Sequence, residues 1–134
     1  MSEQLVFDSE AILAFYLGEE GGELVRDSLE KIQNGKAEGY INIINLTEIY
    51  YILHRVDPKL AEEKVRNLRL YGLKVVPVRD DKLWREAAKI KSAHTLSLAD
   101  AYAAATAKIL KAKLITGSDK EFKELDIQMQ KIRE

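Results

Sequence analysis

The stretch TLSLADAYAAATAKILKAKLITGSDKEF, residues 95–122, decides how this chain is read. Ser97 can cap a helix, and Asp100 falls three residues on, the spacing of a capping box. The helix is expected to run to about Lys111. Its alanines (Ala99, Ala101, Ala103, Ala104, Ala105 and Ala107) favour the helix and are small enough to let it lie close against a sheet. Lys113–Thr116 reads as a short strand with an apolar pair, Leu114 and Ile115. Gly117 and Ser118 break it, and Asp119 follows. The stretch therefore presents one carboxylate in a helix's first turn and another past a strand's C-terminal end. In a parallel α/β layer these two kinds of position share the edge where ligands bind.

Working outward, Leu5–Phe7 is a short apolar strand ending at Asp8, and Ser9-Glu10 opens a helix over Ala11–Leu17. Glu23–Gln33 is a second helix, with Leu24, Val25, Leu29 and Ile32 at helical spacing, stopped by Asn34-Gly35. Gly39–Ile44 is the next strand. Asn45 is expected to cap the helix after it, with Glu48 three residues later. In that third helix Leu46, Ile49, Tyr50 and Leu53 form one apolar stripe, while Tyr51, Ile52 and Val56 lie off it, so packing on two sides is expected. Asp57-Pro58 restarts a helix over Lys59–Tyr71. Leu73–Val78 is a strand, and Asp80 or Asp81 caps a helix through Ile90. A short helical turn over Phe122–Leu125 and a last strand over Ile127–Ile132 complete the chain. The alternation implies one domain, 1–134, of three-layer α/β/α architecture with a mostly parallel sheet.

Composition narrows the function. The 134 residues are 46% hydrophobic, enough for one compact core. There is no Cys, which excludes disulfides, thiolate metal sites and a cysteine nucleophile. No segment approaches the apolar length of a membrane span, and the N-terminus lacks a signal-peptide pattern, so a cytoplasmic protein is expected. The net charge of −1 is not the basic footprint of a protein that holds duplex DNA by phosphate contacts alone; any nucleic-acid contact would be local.

Four acids share one kind of position: Asp8, Glu48, Asp100 and Asp119. Singly, each has an ordinary explanation as a cap or turn residue, favoured by about 0.5–2 kcal/mol. Together they repel, and capping does not require them to meet. A hard divalent cation does, because Mg²⁺ or Mn²⁺ takes oxygen ligands, one or two carboxylates directly and others through water. Such an ion suits phosphodiester hydrolysis. His54 and His94 have no ligand-spaced partner and read as structural or solvated. Trp84 and Tyr71 read as core or interface.

In VFDSEAILAF, INLTEIYYIL, LSLADAYAAATA and LITGSDKEF the chain resembles the PIN-domain ribonucleases, and among them the VapC-type toxins of prokaryotic toxin-antitoxin pairs. The resemblance covers essentially the whole chain and implies a Mg²⁺- or Mn²⁺-dependent endoribonuclease that acts on RNA and is blocked by a cognate antitoxin protein. The family's acidic quartet carries over to Asp8, Glu48, Asp100 and Asp119, and its polar helpers to Ser9 and Thr116, which would position substrate or water. Lys120 and Lys123 are candidate RNA phosphate contacts. The family usually places one residue between the threonine and the last acid; here both Gly117 and Ser118 intervene. The excess apolar surface of the third helix points to a homodimer. Two alternatives stay open: a catalytically silent PIN-like module that binds RNA or protein, and a phosphoacceptor signalling domain of flavodoxin-like topology. The latter would need an acid ending a central strand, where the third strand has Val76-Pro77-Val78.

Overall fold

The computed structural model describes residues 3–117 and 122–133. The elements are β1 (Glu3–Phe7), α1 (Ser9–Leu17), α2 (Gly22–Gln33), β2 (Ala37–Asn42), α3 (Ile43–Val56), α4 (Pro58–Tyr71), β3 (Lys74–Val76), α5 (Asp81–Ala93), α6 (Leu98–Leu110), β4 (Lys113–Thr116) and β5 (Met129–Lys131). The strands form one sheet in the order β3-β2-β1-β4-β5, with every described pairing parallel. Flavodoxin's order is 2-1-3-4-5, so the phosphoacceptor alternative lacks its topology here.

The two-residue period of the strands sorts their side chains between two cores. On one face Leu5, Phe7, Ile41 and Ile115 pack with residues of α1–α4, including Ile12, Leu29, Ile49 and Leu68. On the other, Val6 and Leu114 pack with Leu83, Ala87 and Ile90 of α5 and with the alanines of α6. The result is three layers, as the sequence pattern implies.

Several boundaries differ from expectation, each for a local reason. The third helix begins at Ile43 because Asn42, not Asn45, is its cap: Asn42 Oδ1 accepts from the Ile44 N–H at 2.8 Å. Both asparagines have cap chemistry. The strand register decides between them, since Asn42 pairs with Val76 at the end of β2 and its Nδ2 donates to Thr106 Oγ1 of α6 at 2.9 Å. Strand β3 is shorter than Leu73–Val78, as Pro77 has no N–H for the ladder. Phe122–Leu125 is a hydrogen-bonded turn rather than a helix, with Leu125 N–H donating to Phe122 O at 2.9 Å. The last strand keeps only Met129–Lys131.

Two other expectations divide. On α3, Leu46, Ile49 and Leu53 are buried, whereas Tyr51 and Val56 are 44% and 67% exposed, so the second apolar face is left open by the described residues. Tyr71 packs against the first core. Trp84 is largely exposed, and its indole N–H donates to Asp81 of its own helix.

Helix α6 carries the tightest demand. Ala101, Ala103, Ala104, Ala105 and Ala107 are all essentially buried, and these positions take up most of the helix circumference. Inserting methylenes there forces displacement of neighbours. Ala104→Leu should lower the urea midpoint by the equivalent of about 1–3 kcal/mol, while Leu98→Ala on the exposed side should stay within about 0.5 kcal/mol. Equal midpoints for both variants in urea melts followed by circular dichroism would show that α6 is not closely packed.

Candidate active site

The site is built where the sheet reverses direction. From β1 the chain steps outward through β2 to β3, then returns to place β4 on β1's other side. The carboxyl ends of β1 and β4 therefore flank the topological switch point, where open α/β sheets bind ligands. Asp8 follows β1, and Thr116 ends β4.

Asp8 is 1% exposed. Its extended backbone (φ −83°, ψ 172°) makes it the cap of α1, and Oδ1 accepts from the Ala11 N–H at 2.8 Å. Its own N–H donates to Ile115 O at 3.0 Å, fastening it to the end of β4. Oδ2 is buried and makes no hydrogen bond of ordinary geometry among the described residues. Burial pushes the Asp8 pKa up to about 7; the Thr116 hydroxyl and the Ala11 N–H pull it back, while the charges of Asp100 and Glu10 add to the rise. Thr116 and Asp100 are thus both close enough to act on Asp8.

Asp100 lies half-buried in the first turn of α6, capped as expected by Ser97, whose Oγ accepts from the Asp100 N–H at 3.1 Å. Glu48 is half-buried on α3. Because that helix starts at Ile43, Glu48 falls in its second turn rather than at the third position of a capping box. Among the described residues no group of three or more His, Cys, Asp or Glu side chains is gathered closely enough to hold an ion. The convergence seen is therefore the Asp8–Asp100 pair with Thr116 beside it. Asp119 and Lys120 lie outside the described residues, and Lys123 is exposed in the turn before β5.

Ser9 is engaged within the protein. It is 3% exposed, and its hydroxyl donates to Asn45 O at 3.3 Å while accepting from Asn45 Nδ2 at 3.2 Å. Asn45 Nδ2 also donates to Ala99 O at 3.0 Å. This buried asparagine joins the starts of α1, α3 and α6, and reading it as a cap hid that role. Its spacing, three residues before Glu48, was the available signal.

Glu10 was also missed. Its carboxylate pairs with Arg133, and its side chain lies across Gly117, where any Cβ would overlap it. His54 stacks on Tyr50, and His94 caps α5 within 3.9 Å of Glu124. An apolar cleft of ≈ 330 Å³ lined by Val76, Pro77, Leu83, Ile109 and Leu110 contains none of the site's acids.

A parallel five-stranded sheet with helices on both faces defines a three-layer α/β/α protein, with the buried Asp8 at its switch point. The PIN domain model matches residues 5–128, and the chain belongs to that family. Its fold is similar to that of a toxin-antitoxin complex from Klebsiella pneumoniae (16% identity, TM-score 0.73, covering 96% of this chain and 97% of that one). It is similar to DNA-bound VapBC from Salmonella typhimurium (16%, TM-score 0.73, 98% and 99%), and to FitAcB from Neisseria gonorrhoeae (20%, TM-score 0.69, 96% and 97%). Among curated proteins, none matches the chain.

The raised Asp8 pKa gives a pH dependence with a definite sign. The carboxyl ionises near its ordinary 3.8 in the unfolded chain and near 7 when folded, so the folded state holds the extra proton between these values. Its contribution to stability is complete below about 3.8 and is lost as pH rises through 7. Asp8→Asn keeps the acceptor for Ala11 and cannot ionise. In EDTA the variant should be more stable than wild type at pH 8, by on the order of 2–4 kcal/mol, and the gap should close towards pH 4. Parallel melting curves over that range in thermal melts would show Asp8 to be ordinarily solvated.

Proposed function

We propose that the chain is a Mg²⁺- or Mn²⁺-dependent endoribonuclease and the toxin of a toxin-antitoxin pair. The observation that carries this reading is the buried Asp8, with Oδ2 unpaired, at the switch point beside Asp100 and Thr116. An orphaned carboxylate oxygen in an all-oxygen setting fits a hard cation. Mg²⁺ is usually bound by one or two protein carboxylates and retains its waters, so the absence of a three-acid group among the described residues does not count against it. Asp8 and Asp100 would hold the ion, with Glu48 and Asp119 bonded to it directly or through its waters.

A bound divalent ion would make its coordinated water a better nucleophile and shield phosphate charge. The protein's part is to fix the ligands and the approach. Burial holds Asp8 partly protonated near neutrality, and it must lose that proton to act as a ligand. Thr116 would orient phosphate or solvent at the end of β4. Ser9, held by Asn45, would fix the start of α1 beside Asp8 and through it the place of substrate or water. Lys120 and Lys123 would meet RNA phosphates on the rim. The family membership and the toxin-antitoxin complexes of similar fold support an antitoxin partner. The exposed Tyr51 and Val56 with the neighbouring Ile52 support a homodimer contact or an antitoxin groove, and the site of action would be the cytoplasm. No helix among the described residues is long and apolar enough to cross a membrane.

A catalytically silent module is the second reading, favoured by the pair, rather than a trio, of acids gathered among the described residues. One assay separates them. Purified protein with Mg²⁺ or Mn²⁺ should cleave single-stranded RNA, EDTA should stop it, and Asp100→Asn should cut the rate by about 10²-fold or more. Cleavage by Asp100→Asn at the wild-type rate sinks the metal reading. For assembly, light scattering should give twice the chain mass, and Val56→Asp should shift it towards the monomer. A wild-type monomer mass at every concentration, unchanged by added antitoxin, removes the interface.

A further inference from the structure

We infer that Asn45 is a positioning residue of this site: it ties the helix that follows Asp8 to the helix that carries Asp100, and so sets the separation of the two carboxylates. The inference rests on the proposed metal reading and adds to it a residue that bears no charge and touches no substrate.

The geometry is specific. Asn45 is fully buried in the first turn of α3. One nitrogen, Nδ2, donates to Ser9 Oγ at 3.2 Å and to Ala99 O at 3.0 Å. Ser9 follows Asp8 in sequence, and Ala99 precedes Asp100. Ser9 Oγ returns a hydrogen bond to the Asn45 carbonyl, so α1 and α3 are joined twice. Glu48 lies three residues along α3 and shares the helix face of Asn45. A single amide thus indexes three helix starts, each bearing one candidate ligand.

Its cost argues that placement is the purpose. Asn45 Oδ1 is buried without a partner among the described residues, an arrangement that disfavours the folded state. A side chain present only to fill space between α1, α3 and α6 would do so without that penalty. The other buried asparagine, Asn42, has both ends of its amide bonded, to Ile44 N–H and to Thr106. Groups that orient metal ligands through hydrogen bonds typically change metal affinity by about 10- to 100-fold when removed.

The test reads metal affinity rather than turnover. Mn²⁺ binding is measured by isothermal titration calorimetry for wild type, Asn45→Ala, Ser9→Ala and Tyr16→Phe, with thermal melts of each in EDTA. Tyr16 is the structural control: its hydroxyl is bonded to Lys64 O and Asn67 Oδ1 between α1 and α4, apart from the acids. Asn45→Ala should weaken Mn²⁺ binding by about 10- to 100-fold, and Ser9→Ala by less. The double variant Ser9→Ala with Asn45→Ala, measured alongside, should bind as Asn45→Ala does. Tyr16→Phe should lose melting temperature with its Mn²⁺ affinity intact. If Asn45→Ala fails to fold, Ser9→Ala alone carries the comparison, and an unchanged affinity there overturns the inference. A wild type that binds Mn²⁺ with variants binding as tightly overturns this inference alone. A wild type that binds no Mn²⁺ overturns the metal reading, and this inference with it.

Discussion

The close approach of α6 to the sheet is the constraint from which the rest of this architecture follows. A helix lined with alanine on most of its circumference can be enclosed by α5, α3 and the strands at once, because no side chain holds those neighbours away. Enclosure fixes where the helix begins, and Asp100 lies in its first turn. The same closeness brings Thr106 to Asn42 at the end of β2, so the cap of α3 is keyed to α6 by a buried hydrogen bond. The position of one carboxylate and the start of the helix bearing another are thus consequences of small side chains elsewhere.

On that frame the fold gives up stability at Asp8, as it does at the Asn45 amide. Asp8 is held inside by its own N–H on Ile115 O and by the Ala11 N–H on Oδ1. An acid whose charge is penalised by burial and by a neighbouring carboxylate has an electrostatic deficit that a cation removes. Among the described residues, the two charges that act on Asp8, those of Asp100 and Glu10, are both negative. This is why the deficit is informative about function, whereas an acid at a helix start is not.

Much of the fold was legible because its signals are local and redundant. Ser97 with Asp100, the alanine run, Pro58 after Asp57 and Gly72 after Tyr71 each mark an end of a helix, and each stands where the sequence puts it. Strand ends and the Asn42–Asn45 choice were not legible, since both asparagines can cap and only the pairing of Asn42 with Val76 decides. The same ambiguity hid Asn45's part in the site. Asp8, Thr116 and Asp100 could be placed because strand ends and helix starts meet at one edge in any parallel sheet. Glu10 could not, because its place depends on Arg133, 123 residues away in sequence.

That distant pair shapes the field at the edge. Arg133 bonds Glu20 O at 3.1 Å through one nitrogen and the Glu10 carboxylate through the other, while the adjacent Ile132 N–H donates to Thr116 O at 2.9 Å. The segment after β5 therefore grips both the strand that carries Thr116 and the helix that follows Asp8. Exposed ion pairs contribute little to stability, so the consequence of this one is local. Arg133 beside it holds the Glu10 carboxylate in place, and the charges of Asp100 and Glu10 both add to the rise in the Asp8 pKa. Gly117 makes the arrangement possible, since a side chain there would occupy the space Glu10 needs to reach Arg133. The break in sequence that ended β4 is thus also the gap through which an acid beside the site is tied away from it.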